Sequence, residues 1–255
     1  MFYRWVVLAL LSTFLMAAAP VKTGRTPAAA ASRSGAASKN LEKFFEEEWE
    51  WGLKEYPERA TYLGDPRYND RLTDLSLEAL ERRNRRQHDV LARLKKIDRA
   101  ALTEDERLSY DLFQTQLERA IEGQKYLVDL MPVNQQDGVY KDFAILSTVT
   151  PFRTAKDYRD YLARLSAFPR QVDQTIALME EGRKKGWTQP AMPLREVPDA
   201  VRAQIHADPE KSVHWKPFEK FPDGVAQPDR EALRIEGRRR IAVEVFPAYQ
   251  KLYAY

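Results

Sequence analysis

The sequence predicts an all-α fold: an irregular multi-helix bundle with a long Pro-rich loop, forming the N-terminal part of a larger helical fold. Three observations lead there. Apolar residues recur at i, i+3, i+4 and i+7 in most segments after residue 40. No apolar/polar alternation lasts long enough to mark a strand. Helix punctuation is dense, with caps such as Thr103 and Thr154 ahead of the apolar runs and Gly186 behind one.

Order is expected from Asn40, a good N-cap. Leu41, Phe44, Phe45, Trp49, Leu53 and Tyr56 form the first helical stripe, which Pro57 ends. A short helical turn over Glu58–Leu63 precedes Gly64 and Asp65-Pro66. A long helix then carries Leu77, Leu80, Leu91, Leu94 and Ile97. Thr103-Glu-Asp-Glu106 reads as a capping box opening a helix with Leu108, Leu112, Phe113, Leu117 and Ile121, and the pair should form an antiparallel hairpin. Leu130–Leu146 reads as a loop followed by a short buried helix. Thr154 caps a helix through Phe168, Pro169 starts another through Val172, Ile176 and Met179, and Gly186 closes it. From Trp187 to Asp229 seven prolines leave extended loop, interrupted by one helix near Asp199–His206. Pro228 opens the last helix and Pro247 should kink it.

That last helix carries Ala242, Val245, Phe246, Tyr249, Leu252 and Tyr253 on one face, and no cap follows it. The expectation is a chain truncated at its C-terminus, whose missing half would cover this stripe. An uncovered stripe would make the chain associate.

Before Asn40 the sequence changes character. Arg4 followed by an uncharged run from Trp5 to Ala19 makes residues 1–19 a signal peptide, with an uncleaved N-terminal anchor as the alternative. Residues 20–39, rich in Ala, Ser, Gly and Thr, read as a disordered linker, and residues 40–255 as the helical domain. The expected location is periplasmic or extracellular, with membrane contact only through an uncleaved signal.

Composition excludes several chemistries. There is no cysteine, hence no disulfide framework, thiolate metal site or cysteine nucleophile. A net charge of +3 over 255 residues gives no case for nucleic acid. Ten glycines form no nucleotide fingerprint, and no Gly-x-Ser-x-Gly elbow occurs. The three histidines, His88, His206 and His214, lack the spacing of a helical zinc site. His206 and His214 read as surface residues of a polar loop and His88 as a solvated helix residue. Glu46, Glu47, Glu48 and Glu50 form an acidic face, and Arg82–Arg99 a basic one interleaved with acids; each is a plausible ion-pair neighbour of the other. No catalytic residue and no metal ligand is assigned. Asn134 and Gln135 are the cleft candidates, since amides on a loop between buried helices suit a peptide backbone. Bonding within their own loop is the competing role.

Several segments occur in a telling order: Tyr56-Pro-Glu-Arg-Ala-Thr-Tyr-Leu-Gly64 with Leu72-Thr-Asp-Leu-Ser76, Pro132-Val-Asn-Gln-Gln-Asp-Gly138, Tyr158-x-x-Tyr161-Leu-Ala-Arg-Leu165 leading to Phe168-Pro169, Ile176-Ala-Leu-Met-Glu-Glu-Gly182 with Lys185-Gly186, and Phe246-Pro-Ala-Tyr249. From about Asn40 to Tyr255 this resembles the N-terminal half of the bacterial domain-of-unknown-function family 885. The resemblance implies an exported helical protein similar to helical zinc carboxypeptidases of the Taq type, with a His-Glu metal motif in the other half. No position here matches that motif. Zinc is therefore implied for the full-length protein and not for these residues, and a peptide substrate would be met together with the missing half. The alternative is a non-catalytic exported helical protein that binds peptides or scaffolds at the cell envelope.

Overall fold

The computed structural model describes residues 28–255, with side chains from residue 34 onward. The signal peptide expected at residues 1–19 and the first part of the expected linker lie outside the described residues. The described residues form helices α1 (Ala28–Glu55), α2 (Pro57–Tyr62), α3 (Leu77–Leu94), α4 (Glu104–Gly123), α5 (Val139–Val149), α6 (Ala155–Lys184), α7 (Ala191–Leu194), α8 (Val197–Arg202), α9 (Lys216–Glu219), α10 (Gln227–Arg240) and α11 (Phe246–Ala254), with a π-helical turn at Ile241–Val245. No strand occurs among them, as the periodicity predicted. No helix among them is long and apolar enough to cross a membrane.

Helix α1 starts twelve residues earlier than expected, so the linker reading fails for residues 28–39. Alanine is the strongest helix former, and the segment is Ala-rich. Its end is also tied down: Ala37 is buried, and Ser38 Oγ donates to Glu106 at 3.0 Å.

The chain divides into two compact units, one comprising the residues up to Gly52 with Glu81–Tyr126, the other Leu53–Leu80 with Leu127–Tyr255. In the first unit Leu41 and Phe44 of α1, Val90 and Leu94 of α3 and Tyr110 and Phe113 of α4 form the core. The rings of Phe44, Phe45 and Phe113 meet edge-on, with centroids 5.3–5.7 Å apart. Helices α3 and α4 run antiparallel: His88 meets Gln124, Lys95 meets Glu118, and Arg99 meets Asp111. Thr103 and Glu106 form the expected capping box.

The acidic and basic helix faces do find one another. Glu48, buried on α1, accepts from Arg86 at 2.5 and 3.0 Å and from Arg93 at 3.0 Å, while Glu47 takes the other arm of Arg93. Two guanidinium groups thus satisfy one buried carboxylate, the condition under which such a charge is tolerated. His88 is exposed, as expected.

In the second unit α6 is the central helix, and α5, α10, the π turn and α11 pack on it. It is one helix of thirty residues with Pro169 inside, rather than two. Phe168 and Val172 on either side of the proline are fully buried, so packing overrides the loss of one backbone bond. Gly182 near its end is a close approach: a Cβ there would lie 2.5 Å from the Trp187 carbonyl oxygen and 2.8 Å from that of Leu130.

The stripe on the last helix is not open. Val245, Phe246, Tyr249 and Leu252 are buried within this unit, where α11 packs on α6 and α8; Tyr253 is exposed. The expectation of an uncovered, association-prone face is therefore overturned, because neighbouring helices of the same unit supply its cover. The extended Pro-rich loop is also corrected: residues 191–219 form short helices and 3₁₀ turns, most with a proline in the first turn, where its missing N–H costs nothing.

Candidate functional site

Helix α6 carries a polar stripe that holds the 57–75 segment. Arg164, with no exposed surface, donates from Nε to the Arg71 carbonyl (2.8 Å) and from Nη2 to Thr61 Oγ1 (2.7 Å) and the carbonyls of Pro57 and Tyr68 (3.3 Å each). Gln171 donates to Glu58 and to the Thr73 carbonyl, both at 3.2 Å. Gln174 bridges the Leu75 N–H and Asp74. Glu58 also accepts from the Thr73 N–H and hydroxyl, at 2.9 and 2.5 Å. Burial lowers the pKa of Arg164, while the fields of Glu58, Asp160 and Asp70 oppose that.

This clamp seats α2 against α5. Just before α5, the loop at residues 133–138 closes on itself. Asn134 Oδ1 accepts from the N–H groups of Gln136 (2.8 Å) and Asp137 (3.0 Å), its N–H donates to the Asp137 carbonyl (2.9 Å), and its carbonyl accepts from Tyr140 Oη (3.1 Å). Gly138 turns the chain into α5 at φ +148°, a conformation other residues avoid. The Asn134 side chain thus spends its oxygen on the loop and leaves the Nδ2 amide. The Gln135 side chain is exposed, and its backbone N–H is held by the Pro193 carbonyl at 2.8 Å.

One residue of this region escaped the sequence reading. Asp142, in the first turn of α5, has its pKa raised to about 6, first by burial and then by the carboxylates of Asp137 and Glu58. Tyr62 of α2 is pushed upward too, by burial and then by the fields of Asp142 and Glu58. A carboxyl poised near neutral pH beside a half-exposed phenol can take or give a proton to a polar ligand. The only sequence signal was a carboxylate in a helix start that otherwise reads Val139, Tyr140, Lys141 and Phe143.

The shift fixes a pH dependence. A carboxyl whose folded pKa lies above its unfolded value of 3.8 stabilises the fold below that value and loses this contribution as pH rises through about 6. Asp142→Asn should therefore match the parent in stability near pH 3.5 and exceed it by about 2 kcal/mol near pH 8. Urea unfolding at both pH values measures this; an offset that does not change with pH would contradict it.

His214, expected on the surface, is instead fully buried. Its Nδ1 lies 3.3 Å from Tyr161 Oη and its Nε2 3.1 Å from Tyr249 Oη, which in turn reaches the Tyr140 carbonyl at 3.4 Å. With Tyr249 donating to that carbonyl, Nε2 carries the imidazole proton and Nδ1 accepts from Tyr161. Burial pushes the His214 pKa down to about 3, so the ring is neutral. Both nitrogens are engaged, and the ring joins Phe143, 4.9 Å away, in the core. His206 lies at an intermediate depth near Phe246. Among the described residues no three His, Asp or Glu side chains come together in a way that could hold a metal ion. These residues therefore do not fit the implied zinc.

The fold is thus that of a helical protein with a polar clamp, a loop-borne amide and a carboxyl in the first turn of α5. The chain belongs to the DUF885 family of bacterial proteins of unknown function, which matches residues 57–255. The match begins at the first residue of α2 and includes the clamp, the 133–138 loop and Asp142, while α1 lies before it. No curated protein matches the sequence.

Proposed function

We propose that this chain is the N-terminal helical half of an exported, metal-dependent peptidase-like hydrolase, and that the 133–138 loop with Asp142 forms part of the wall that meets a peptide. The observation that carries the reading is the Asp142 carboxyl, poised near neutral pH in the first turn of the helix that follows the Asn134 amide. Support for the hydrolase class comes from the family match together with the likeness to helical zinc carboxypeptidases that the family resemblance implies. In this reading Asn134 Nδ2 donates to a peptide carbonyl, and Asp142 accepts from a peptide N–H or amine. The metal and the water it activates belong to residues outside this chain, and no step is assigned to a metal here.

The test is the full-length gene product, purified from the periplasm or medium. It should hold zinc stoichiometrically and cleave members of a peptide library, with activity lost on chelation. Asn134→Ala and Asp142→Asn should each raise KM about tenfold while the metal content stays constant. Protein without metal and without peptide cleavage would overturn the hydrolase reading, and unchanged KM values would remove the wall.

A further inference from the structure

A second site lies elsewhere in the Leu127–Tyr255 part, where the start of α6 meets the α9 segment. A surface groove of about 350 Å³ has an aromatic and prolyl floor formed by Phe152, Tyr158, Phe221 and Pro222, with Lys216 and Lys220 on its rim. The floor is preorganised. Tyr158 sits 4.9 Å from Phe152 and 4.6 Å from Phe221, ring centre to ring centre. Arg234 covers the Phe221 ring at 5.0 Å, and Arg230 ties down the Pro222 carbonyl at 3.1 Å. Such a floor binds an apolar body without first having to order itself.

The rim is chemically distinct. Lys216 opens α9 and Lys220 follows its end in extended backbone, and both are exposed. Neither has an ion-pair partner among the described residues, whereas the neighbouring Arg238 pairs with Glu210 and Arg159 with Asp229. Tyr158 is only 1% exposed. Its hydroxyl has no hydrogen-bond partner among the described residues, yet it is not among the buried unpartnered atoms, so the exposed trace is at the oxygen facing the groove. Two ammonium groups and one phenol hydroxyl therefore surround an apolar floor.

We propose that this groove binds a small monocarboxylate with an apolar body. The aryl or alkyl part lies on Phe152, Phe221 and Pro222, and the carboxylate is held by Lys216 and Lys220 with the Tyr158 hydroxyl donating. Three donors around one acceptor group give the selection for an anion, and the floor gives the selection for an apolar tail. Nothing in this inference depends on the hydrolase reading.

Calorimetric titration of the full-length protein tests it, with phenylacetate and decanoate as aryl and alkyl probes and with phenylacetamide and decanol as their uncharged counterparts. At least one acid should saturate at submillimolar concentration and bind about tenfold more tightly than its neutral counterpart. The double variant Lys216→Gln/Lys220→Gln should lose about tenfold in affinity for the acid, and Tyr158→Phe about threefold. Both lysines are exposed, so the double variant keeps its fold, checked by its circular dichroism. Equal binding of acid and neutral counterpart, unchanged affinity in the double variant, or no saturation at millimolar acid would each overturn the proposal.

Discussion

Arg164→Ala is expected to destabilise the second unit by about 3–5 kcal/mol, read as a shift in the urea midpoint. The side chain is fully buried and bonds the Thr61 hydroxyl and the carbonyls of Pro57, Tyr68 and Arg71. Removing it takes the partner of the Arg71 carbonyl, worth about 1–3 kcal/mol, and one partner each from Thr61 and the carbonyls of Pro57 and Tyr68, which keep bonds to Asn69, the Thr61 hydroxyl and the Arg71 N–H, and it leaves a large cavity as well. An opposing term exists: no carboxylate pairs directly with this guanidinium, so its own desolvation is costly. Arg164→Met, which fills the space without the charge, should therefore lose less than Arg164→Ala. Loss of the clamp also frees α2 to move against α5, so the Asp142 pKa should drift back toward 3.8. An Arg164→Ala protein within 1 kcal/mol of the parent would show that the carbonyl clamp contributes little.

Gly182→Ala is expected to cost about 2–4 kcal/mol, far more than the usual glycine replacement in a helix, which stabilises. The added methyl would stand 2.5 and 2.8 Å from two backbone carbonyl oxygens, and backbone cannot swing aside as a side-chain tip can. Gly64→Ala is the control. Gly64 has φ +81° and open space where its Cβ would lie, so only conformational strain of about 1 kcal/mol should appear. If Gly182→Ala costs no more than Gly64→Ala, the close approach at the end of α6 is not a steric constraint.

What could be read in the sequence was what neighbours along the chain decide. The Thr103–Glu106 box, the Thr154 cap, the break at Pro57 and the turn at Gly64 each depend on partners within a few residues. The interleaved charges of α3 announced ion pairing because a helix places them in rows. What escaped was set by partners far along the chain. His214 is buried because Tyr161, 53 residues before it, and Tyr249, 35 residues after it, close around it. Pro169 reads as a helix start by local rule, yet the core on both sides of it keeps α6 continuous. The linker reading treated Ala, Ser and Gly as spacer residues and missed that Ala37 and Ser38 have partners in α3 and α4 territory. At the candidate site, Asn134 was recognisable as a loop residue with an amide to offer. The state of Asp142 was not, because a carboxyl's proton affinity depends on burial and on Glu58, which no spacing reveals.

The π turn at Ile241–Val245 makes the final stretch of helix sensitive to chain length in an unusual way. A wide turn closed from Phe246 N–H to the Ile241 carbonyl amounts to one surplus residue in an otherwise regular spiral. Were the same residues to wind as ordinary α-helix, everything beyond the turn would be rotated by about 100° about the axis. Tyr249 would then swing away from His214, and the buried imidazole would lose the hydroxyl that fixes its proton. Excising the exposed Val243 would instead remove the surplus and leave Tyr249 facing His214, so the irregular turn sets the phase of the helix that follows it.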